Sequence, residues 1–255
     1  DKFWHSRSAS FPNDTRTPNF GLISERIPPV PLSTREAIVD TLCPQETRRN
    51  KTGFLYKFEN KDCLVRLYLG RRSASRMDAS KIRLRNFPLH VDEMERLSLD
   101  PKVYTVAMAE ALALLHWSAG IDANDVEFVL GCRAAVAQHA TEEEILNATK
   151  YTARQIHDFN LDQRAECMWL LDFNECKRFK YGEQGIKMPV DGLWVNDPYY
   201  PRPNATNKQD EMLWELFMAR YLELGRQLVS HGGPAEFTKA VMERGHTRSR
   251  GSMFA

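Results

Sequence analysis

The chain has 255 residues, which is enough for one large domain or two small ones with a full hydrophobic core. Hydrophobic residues make up 42% and charged residues 27%, a composition that excludes disorder over most of the length. Lys and Arg total 35 against 34 Asp and Glu, so the net charge of +1 excludes a uniformly basic nucleic-acid binder but not a local basic face.

Two further features of the sequence bear on location and metal binding. No apolar run approaches the roughly 18 residues of a membrane span, and residues 1–10 lack the apolar core of a secretory signal. The five cysteines stand apart, without the spacing of a zinc clip or a redox pair. We therefore expect a cytoplasmic protein with buried, reduced thiols, no metal site and no membrane partner.

The N-terminal third is predicted to hold an arm, a short helix and a hairpin. Residues 1–33 are rich in Pro, Ser, Asn and Arg, which favours an extended arm. Ser33 and Glu36 have capping-box spacing and predict a helix start. Aromatic and branched residues at 53–58 and 61–69 predict a β-hairpin.

The rest of the chain reads as alternating helices and short strands in a single domain at 34–245, followed by a flexible tail at 246–255. Residues 177–210 carry repeated Gly, Pro and Asn, which predicts irregular structure. The predicted elements are helices at 91–99, 103–117, 141–159, 210–228 and 235–244, with strands at 126–131 and 167–172. Asp100-Pro101 marks the start of the second of these helices.

Four carboxylates form the leading candidate catalytic site. Asp122, Asp125 and Glu127 fall within six residues between an apolar helix and an apolar strand, and Asp172 ends the next strand, followed by Asn174. Carboxylates so close together repel one another and need solvent, a cation or a donor network. We expect them to line one pocket; the alternative is a set of solvated turns.

The order of these features resembles that of protein and aminoglycoside kinases. Lys57 in the predicted hairpin precedes a long helix, then a loop in which Glu127 follows Asp122 by five residues, then Asp172 in an Asp-Phe-Asn motif. The resemblance implies an α+β, kinase-like fold with a small β-containing N-terminal part and a larger helical C-terminal part. The alternative is a Rossmann-like α/β fold, but no alternating strand and helix units precede residue 103. Glu127 replaces the kinase Asn and no glycine-rich loop precedes Lys57, so the pattern does not favour an ordinary ATP kinase.

A concentrated basic run is the candidate nucleic-acid surface. Such a run is either a solvated face or a contact for a phosphate backbone. Its members are Arg71, Arg72, Arg76, Lys81, Arg83 and Arg85.

Five segments carry a further resemblance: PLSTREAIVD, KDCLVRLYLGRR, IRLRNFPLHVDEMERL, YTVAMAEALALLHWSAGIDANDVEFVLG and WLLDFNEC. Together they resemble the fungal arginine-containing cyclodipeptide synthase family, whose members are labelled as a domain of unknown function or as a "zinc finger protein". The resemblance implies an aminoacyltransferase that forms an arginine-containing cyclic dipeptide from arginyl-tRNA and a second aminoacyl-tRNA.

The resemblance also implies roles for individual residues. The four carboxylates are the expected catalytic and arginine-recognition groups, and the basic run is the expected tRNA contact. No cofactor is expected, because the aminoacyl ester is already activated, and no DNA partner is expected. The expected substrate-binding residues are Lys57, Arg66, His116, Trp117 and Asn174.

For His116 and Trp117 the alternative role is packing in the core. Two other functions remain open: a kinase-like small-molecule phosphotransferase and a non-catalytic kinase-like binding module.

Overall fold

A computed structural model of the chain describes residues 26–73, 81–134, 164–182, 185–196 and 198–252, with the single residues Ala9 and Asn147. The predicted helix at 141–159 and most of the predicted N-terminal arm lie outside the described residues. Within the described residues the architecture is α+β, a four-stranded sheet with helices before and after it.

The N-terminal part is helical up to the first strand. Its helices are α1 (Leu32–Leu42), α2 (Gln45–Arg49), α3 (Lys51–Leu55) and α4 (Phe58–Lys61). The predicted β-hairpin is therefore wrong, because the aromatic segment at 53–58 forms helical turns that bury Phe54 and Leu55.

A mixed sheet forms the middle of the molecule, with strand order β2-β1-β3-β4. The strands are β1 (Val65–Tyr68), β2 (Phe87–His90), β3 (Glu127–Ala134) and β4 (Arg164–Leu171). Strand β1 pairs in parallel with β2 and antiparallel with β3, and β3 pairs antiparallel with β4. Hydrophobic residues at alternate positions of β1 and β2 face the core, whereas residues 128–132 of β3 are all buried.

Between β2 and β3 the chain forms α5 (Val91–Arg96) and α6 (Pro101–Trp117). Helix α6 begins where the sequence predicts, because the Asp100 side chain caps the Lys102 amide at 3.0 Å and Pro101 occupies the first turn. The helix buries a stripe of Met108, Leu112 and Ala113.

After β4 come α7 (Lys187–Val195), α8 (Lys208–Leu228) and α9 (Gly233–Ser252). Helix α8 packs along α6 and buries aromatic side chains, among them Phe217 and Tyr221. Helix α9 continues past residue 246, where the sequence predicts a flexible tail. No helix among the described residues is both long and apolar enough to cross a membrane.

Helix α7 is the element that the sequence pattern does not predict. It contains Pro189 and Gly192, both of which usually mark turns. Pro189 lies in the first turn of the helix, where its missing N–H costs no hydrogen bond. Gly192 packs against the loop before β3, and a Cβ there would lie 2.5 Å from the Asp122 carbonyl oxygen.

Candidate functional site

The loop at 120–126 joins α6 to β3 and carries two of the predicted catalytic carboxylates. Asp122 is only 4% exposed. Its Oδ1 accepts hydrogen bonds from the amides of Lys177 at 2.9 Å and Asn124 at 3.2 Å, and its own amide donates to the Lys177 carbonyl at 2.9 Å. Asp122 therefore fastens this loop to the segment after β4.

The same loop is also held by Asn196, the C-cap residue of helix α7. The buried Asn196 side chain accepts from the Asp125 amide at 2.6 Å and donates to the carbonyls of Ala123 at 3.0 Å and Val126 at 3.1 Å. With Gly192 in close contact one turn earlier, α7 fixes the backbone path of the loop. We call residues 120–127, together with Asp172 and Asn196, the acidic site.

Three non-glycine residues in the acidic site have a left-handed backbone. Ala123, Asp125 and Asp172 have φ values of 53°, 63° and 68°. Such residues cost free energy and persist only where the surrounding contacts impose the conformation. The hydrogen bonds of Asn196 supply those contacts for Ala123 and Asp125, so the turn that bears Asp125 has a fixed backbone conformation.

Glu127, the first residue of β3, forms an ion pair with Arg66 of β1 at 2.7 Å. The Glu127 side chain is 12% exposed and that of Arg66 is 30% exposed. Burial raises the pKa of Glu127, Arg66 opposes this, and the negative charges of Asp172 and Asp125 raise the pKa further. Burial also raises the pKa of the nearby Tyr199 phenol, which the charge of Arg66 lowers and that of Glu127 raises.

The predicted carboxylates act electrostatically on common neighbours. Asp125 and Asp172 are exposed and act on Glu127, and both act together with Asp122 on Cys176. Burial and then these three charges raise the pKa of Cys176 to about 11, so its thiol stays protonated at neutral pH. The neighbourhood therefore favours a cation and disfavours a thiolate nucleophile.

Two other predicted substrate-binding residues, Lys57 and Asn174, have exposed side chains. Lys57 stands at the N-cap of α4 and not on a strand. The Asn174 amide donates a hydrogen bond to Glu175 at 3.4 Å. Arg66 is the predicted substrate-binding residue that forms an ion pair with a carboxylate of the acidic site.

His116 and Trp117 end α6 in the buried core. His116 Nδ1 lies 2.8 Å from the Tyr221 hydroxyl, and Trp117 Nε1 donates to the same oxygen at 2.7 Å. Burial lowers the pKa of His116 to about 3, against a smaller opposing effect of the Asp122 backbone. The imidazole is therefore neutral at pH 7 and packs in an aromatic cluster with Phe179 and Phe237.

The basic run divides into two groups. Arg72 joins two acidic side chains, at 2.8 Å from Glu95 and 2.8 Å from Asp210, which ties the chain after β1 to α5 and α8. Its guanidinium therefore has an internal role. Arg76 lies outside the described residues, and the exposed members are Arg71, Lys81, Arg83 and Arg85.

Comparison with known proteins gives one match. A family profile described as "Zinc finger protein", of a domain of unknown function, matches residues 168–233, from the end of β4 into α9. No curated protein and no solved structure matches. The profile covers about a quarter of the chain, so it shows a similarity over the segment that holds Asp172, Asn196 and Tyr199.

These comparisons correct the predicted family. The matching profile belongs to a domain of unknown function described as a zinc finger protein, and nothing in the match indicates a cyclodipeptide synthase family. The assignment to the fungal arginine-containing cyclodipeptide synthase family is therefore overturned.

The zinc-finger description itself has no counterpart in the side chains. The matched segment contains one cysteine, Cys176, and one histidine, His231, whereas a structural zinc site takes four such ligands. Within the described ranges no three His, Cys, Asp or Glu side chains are placed to hold a metal ion.

Sequence reasoning missed two residues that shape the acidic site: Gly192 and Asn196. They lie in a segment that is predicted as irregular, and they reach the acidic loop through contacts across about 70 residues of chain. The one local signal is an Asn directly after an apolar stretch, which is typical of a helix end and not of a binding site.

Proposed function

We propose that the acidic site binds the guanidinium and α-ammonium groups of an arginyl ester, and that the protein uses them in tRNA-dependent synthesis of an arginine-containing cyclic dipeptide. One observation carries the proposal: Glu127, with a raised pKa, lies beside the exposed carboxylates of Asp125 and Asp172. The proposal rests on this chemistry and on no family membership.

The carboxylates divide between recognition and proton transfer. Asp125 and Asp172 are exposed and take the cationic groups, since paired carboxylate oxygens match a guanidinium. Glu127 is more basic than an ordinary glutamate and is held in place by Arg66, so it accepts the proton that the α-ammonium must lose.

The reaction consumes two aminoacyl esters. The free amine of one aminoacyl group attacks the ester carbonyl of the other, a peptide bond forms, and the first tRNA leaves with its 3′-terminal hydroxyl protonated. The amine of the resulting dipeptidyl ester then attacks its own ester carbonyl, which closes the ring and releases the second tRNA. Both steps use the energy of the esters and need neither ATP nor a cofactor.

The tRNA partners are assigned to the exposed basic residues. Arg71, Lys81, Arg83 and Arg85 bracket the end of β1 and the start of β2, and Arg66 connects β1 to the acidic site. Contacts of this kind with phosphates and 2′-hydroxyls position an RNA without reading its sequence. A cytoplasmic location, where charged tRNAs are abundant, is part of the same proposal.

A second candidate, a kinase-like phosphotransferase or binding module, is favoured by the order of elements. Helix α6, the acidic loop, the β3–β4 pair and Asp172 follow one another as in the kinase catalytic region, and α8 packs along α6. Against catalysis of that kind, Glu127 is paired with Arg66 where kinases place an Asn, and Lys57 is not on the sheet. The finer fold assignment, kinase-like rather than Rossmann-like, is part of this candidate.

The test uses purified arginyl-tRNA and a mixture of other aminoacyl-tRNAs, without ATP or synthetases. We expect a cyclic dipeptide that contains arginine, detected by mass spectrometry, and no product after RNase treatment. The variants Glu127→Gln and Asp172→Asn should lower the rate at least tenfold, while Glu175→Gln, an exposed carboxylate outside the site, should match wild type. Product that persists after RNase, or MgATP consumption with free amino acids, would refute the proposal and favour the second candidate.

A further inference from the structure

A cavity of about 300 Å³ lies on one face of the sheet, lined by Leu130 of β3. Because side chains alternate between the two faces of a strand, Glu127 of β3 belongs to the other face. Residues of helix α1, of the start of α6 and of all four strands line the cavity. Leu89 of β2 and Leu130 of β3 form its buried floor, and Leu97 and Leu99 form one wall. The cavity holds the volume of about ten water molecules, which is within the range of small-ligand sites.

Polar groups are gathered at the mouth of this cavity. Glu166 of β4 is the one charged residue among the described residues that line it, and the Thr34 hydroxyl of α1 donates a hydrogen bond to its carboxylate. Tyr104 of α6 stands on the same rim, where burial and then the charge of Glu166 raise the pKa of its phenol. The cavity thus combines an apolar interior with a single negative charge at its opening.

The cavity is separate from the acidic site. In the β3–β4 ladder Glu127 pairs with Leu171, and Cys132 pairs with Glu166. Five residues of β4 separate these two rungs, a distance of about 17 Å at the usual rise of a strand. No residue that lines the cavity belongs to the acidic site.

We propose that this cavity is a second binding site, for a small organic monocation with an apolar body, such as an arylalkylammonium compound. The apolar body fills the space over Leu89 and Leu130, and the ammonium group pairs with Glu166 at the mouth. A neutral analogue leaves the carboxylate without a counter-charge, and a compound with two charges places one of them against the leucine walls.

Isothermal titration calorimetry of the full chain with 2-phenylethylammonium chloride tests the proposal. We expect saturable binding of one molecule, and at least tenfold weaker binding of 2-phenylethanol, which has the same shape without the charge. Glu166→Gln, which keeps an acceptor for Thr34, should weaken binding of the amine at least tenfold. Leu99→Phe, which fills the cavity, should weaken the amine and the alcohol alike.

Two control variants distinguish this site from the acidic site. Asp172→Asn removes a carboxylate of the acidic site and Glu175→Gln removes an exposed one, and neither should alter the affinity for the amine. The proposal is overturned by absence of saturable binding at millimolar amine, by equal affinity for the alcohol, or by loss of binding in Asp172→Asn. These outcomes do not depend on whether the protein uses aminoacyl-tRNA.

Discussion

Replacing Asn196 with Ala tests whether α7 holds the acidic loop in its strained conformation. The substitution removes a donor to the carbonyls of Ala123 and Val126 and the acceptor for the Asp125 amide. Both carbonyls belong to fully buried residues, and their oxygens lose their Asn196 donor. Two such bonds at about 1–1.5 kcal/mol each and a weaker contribution from the exposed Asp125 amount to about 3 kcal/mol.

The measurement is thermal unfolding by circular dichroism. For a chain of this size 1 kcal/mol corresponds to about 2–4 °C, so we expect the midpoint for Asn196→Ala to fall by about 6–12 °C. Asn196→Asp should be at least as unstable at neutral pH, because a carboxylate would face two carbonyl oxygens.

Asn174→Ala is the matched control for this experiment. Its amide is exposed and makes one long contact, so the expected change in the free energy of unfolding is under about 0.5 kcal/mol. If Asn196→Ala is no less stable than this control, the hydrogen bonds of α7 do not hold the loop, and the left-handed conformation of Asp125 needs another cause.

Three further predictions concern one pH dependence and two sets of ion pairs. Burial lowers the pKa of His116 to about 3 from its ordinary 6.5, so the unfolded chain binds a proton first as the pH falls. Lowering the pH from 7.5 to 5 should therefore remove about 2 kcal/mol from the free energy of unfolding measured in urea titrations, and His116→Gln should abolish this pH dependence. Arg72→Met should lower the free energy of unfolding by about 1–3 kcal/mol, because two carboxylates lose their shared partner. Arg71→Met should leave stability unchanged and weaken tRNA binding, with a shallower salt dependence. Equal stability of the two variants would contradict the internal role of Arg72. Glu127→Gln should cost about 1–3 kcal/mol by leaving Arg66 without its partner, and adding Arg66→Met should restore part of the loss, so strictly additive losses in a double-mutant cycle would exclude the pair.

Sequence patterns predicted the elements that are stabilised by residues close to them in the chain. Helix α6 carries its own cap at Asp100, its Pro101 start and an apolar stripe, and it forms as predicted. The sequence also places Asp122 and Asp125 before β3 and Asp172 after β4, and the structure has them there. That these carboxylates form one catalytic site with Glu127 stays a prediction.

Contacts between distant segments explain the failures. The aromatic residues at 53–58 have a high propensity for strands. The segment nevertheless forms short helices, because packing against α1 buries Phe54 and Leu55. Asn196 and Gly192 act on residues about 70 positions earlier in the chain, and no local pattern encodes such a contact. The internal pairing of Arg72 with Asp210 was hidden for the same reason.

Binding of arginine methyl ester, measured by isothermal titration calorimetry, tests the acidic site most directly. This ester carries the guanidinium, the α-ammonium and the ester carbonyl of an arginyl-tRNA terminus, and norleucine methyl ester lacks only the guanidinium. We expect saturable binding of the arginine ester, at least tenfold weaker binding of the norleucine ester, and at least tenfold loss for the arginine ester in Asp125→Asn or Asp172→Asn. Equal affinity for the two esters, or unchanged affinity in both variants, would contradict the assignment of these carboxylates to an arginyl group.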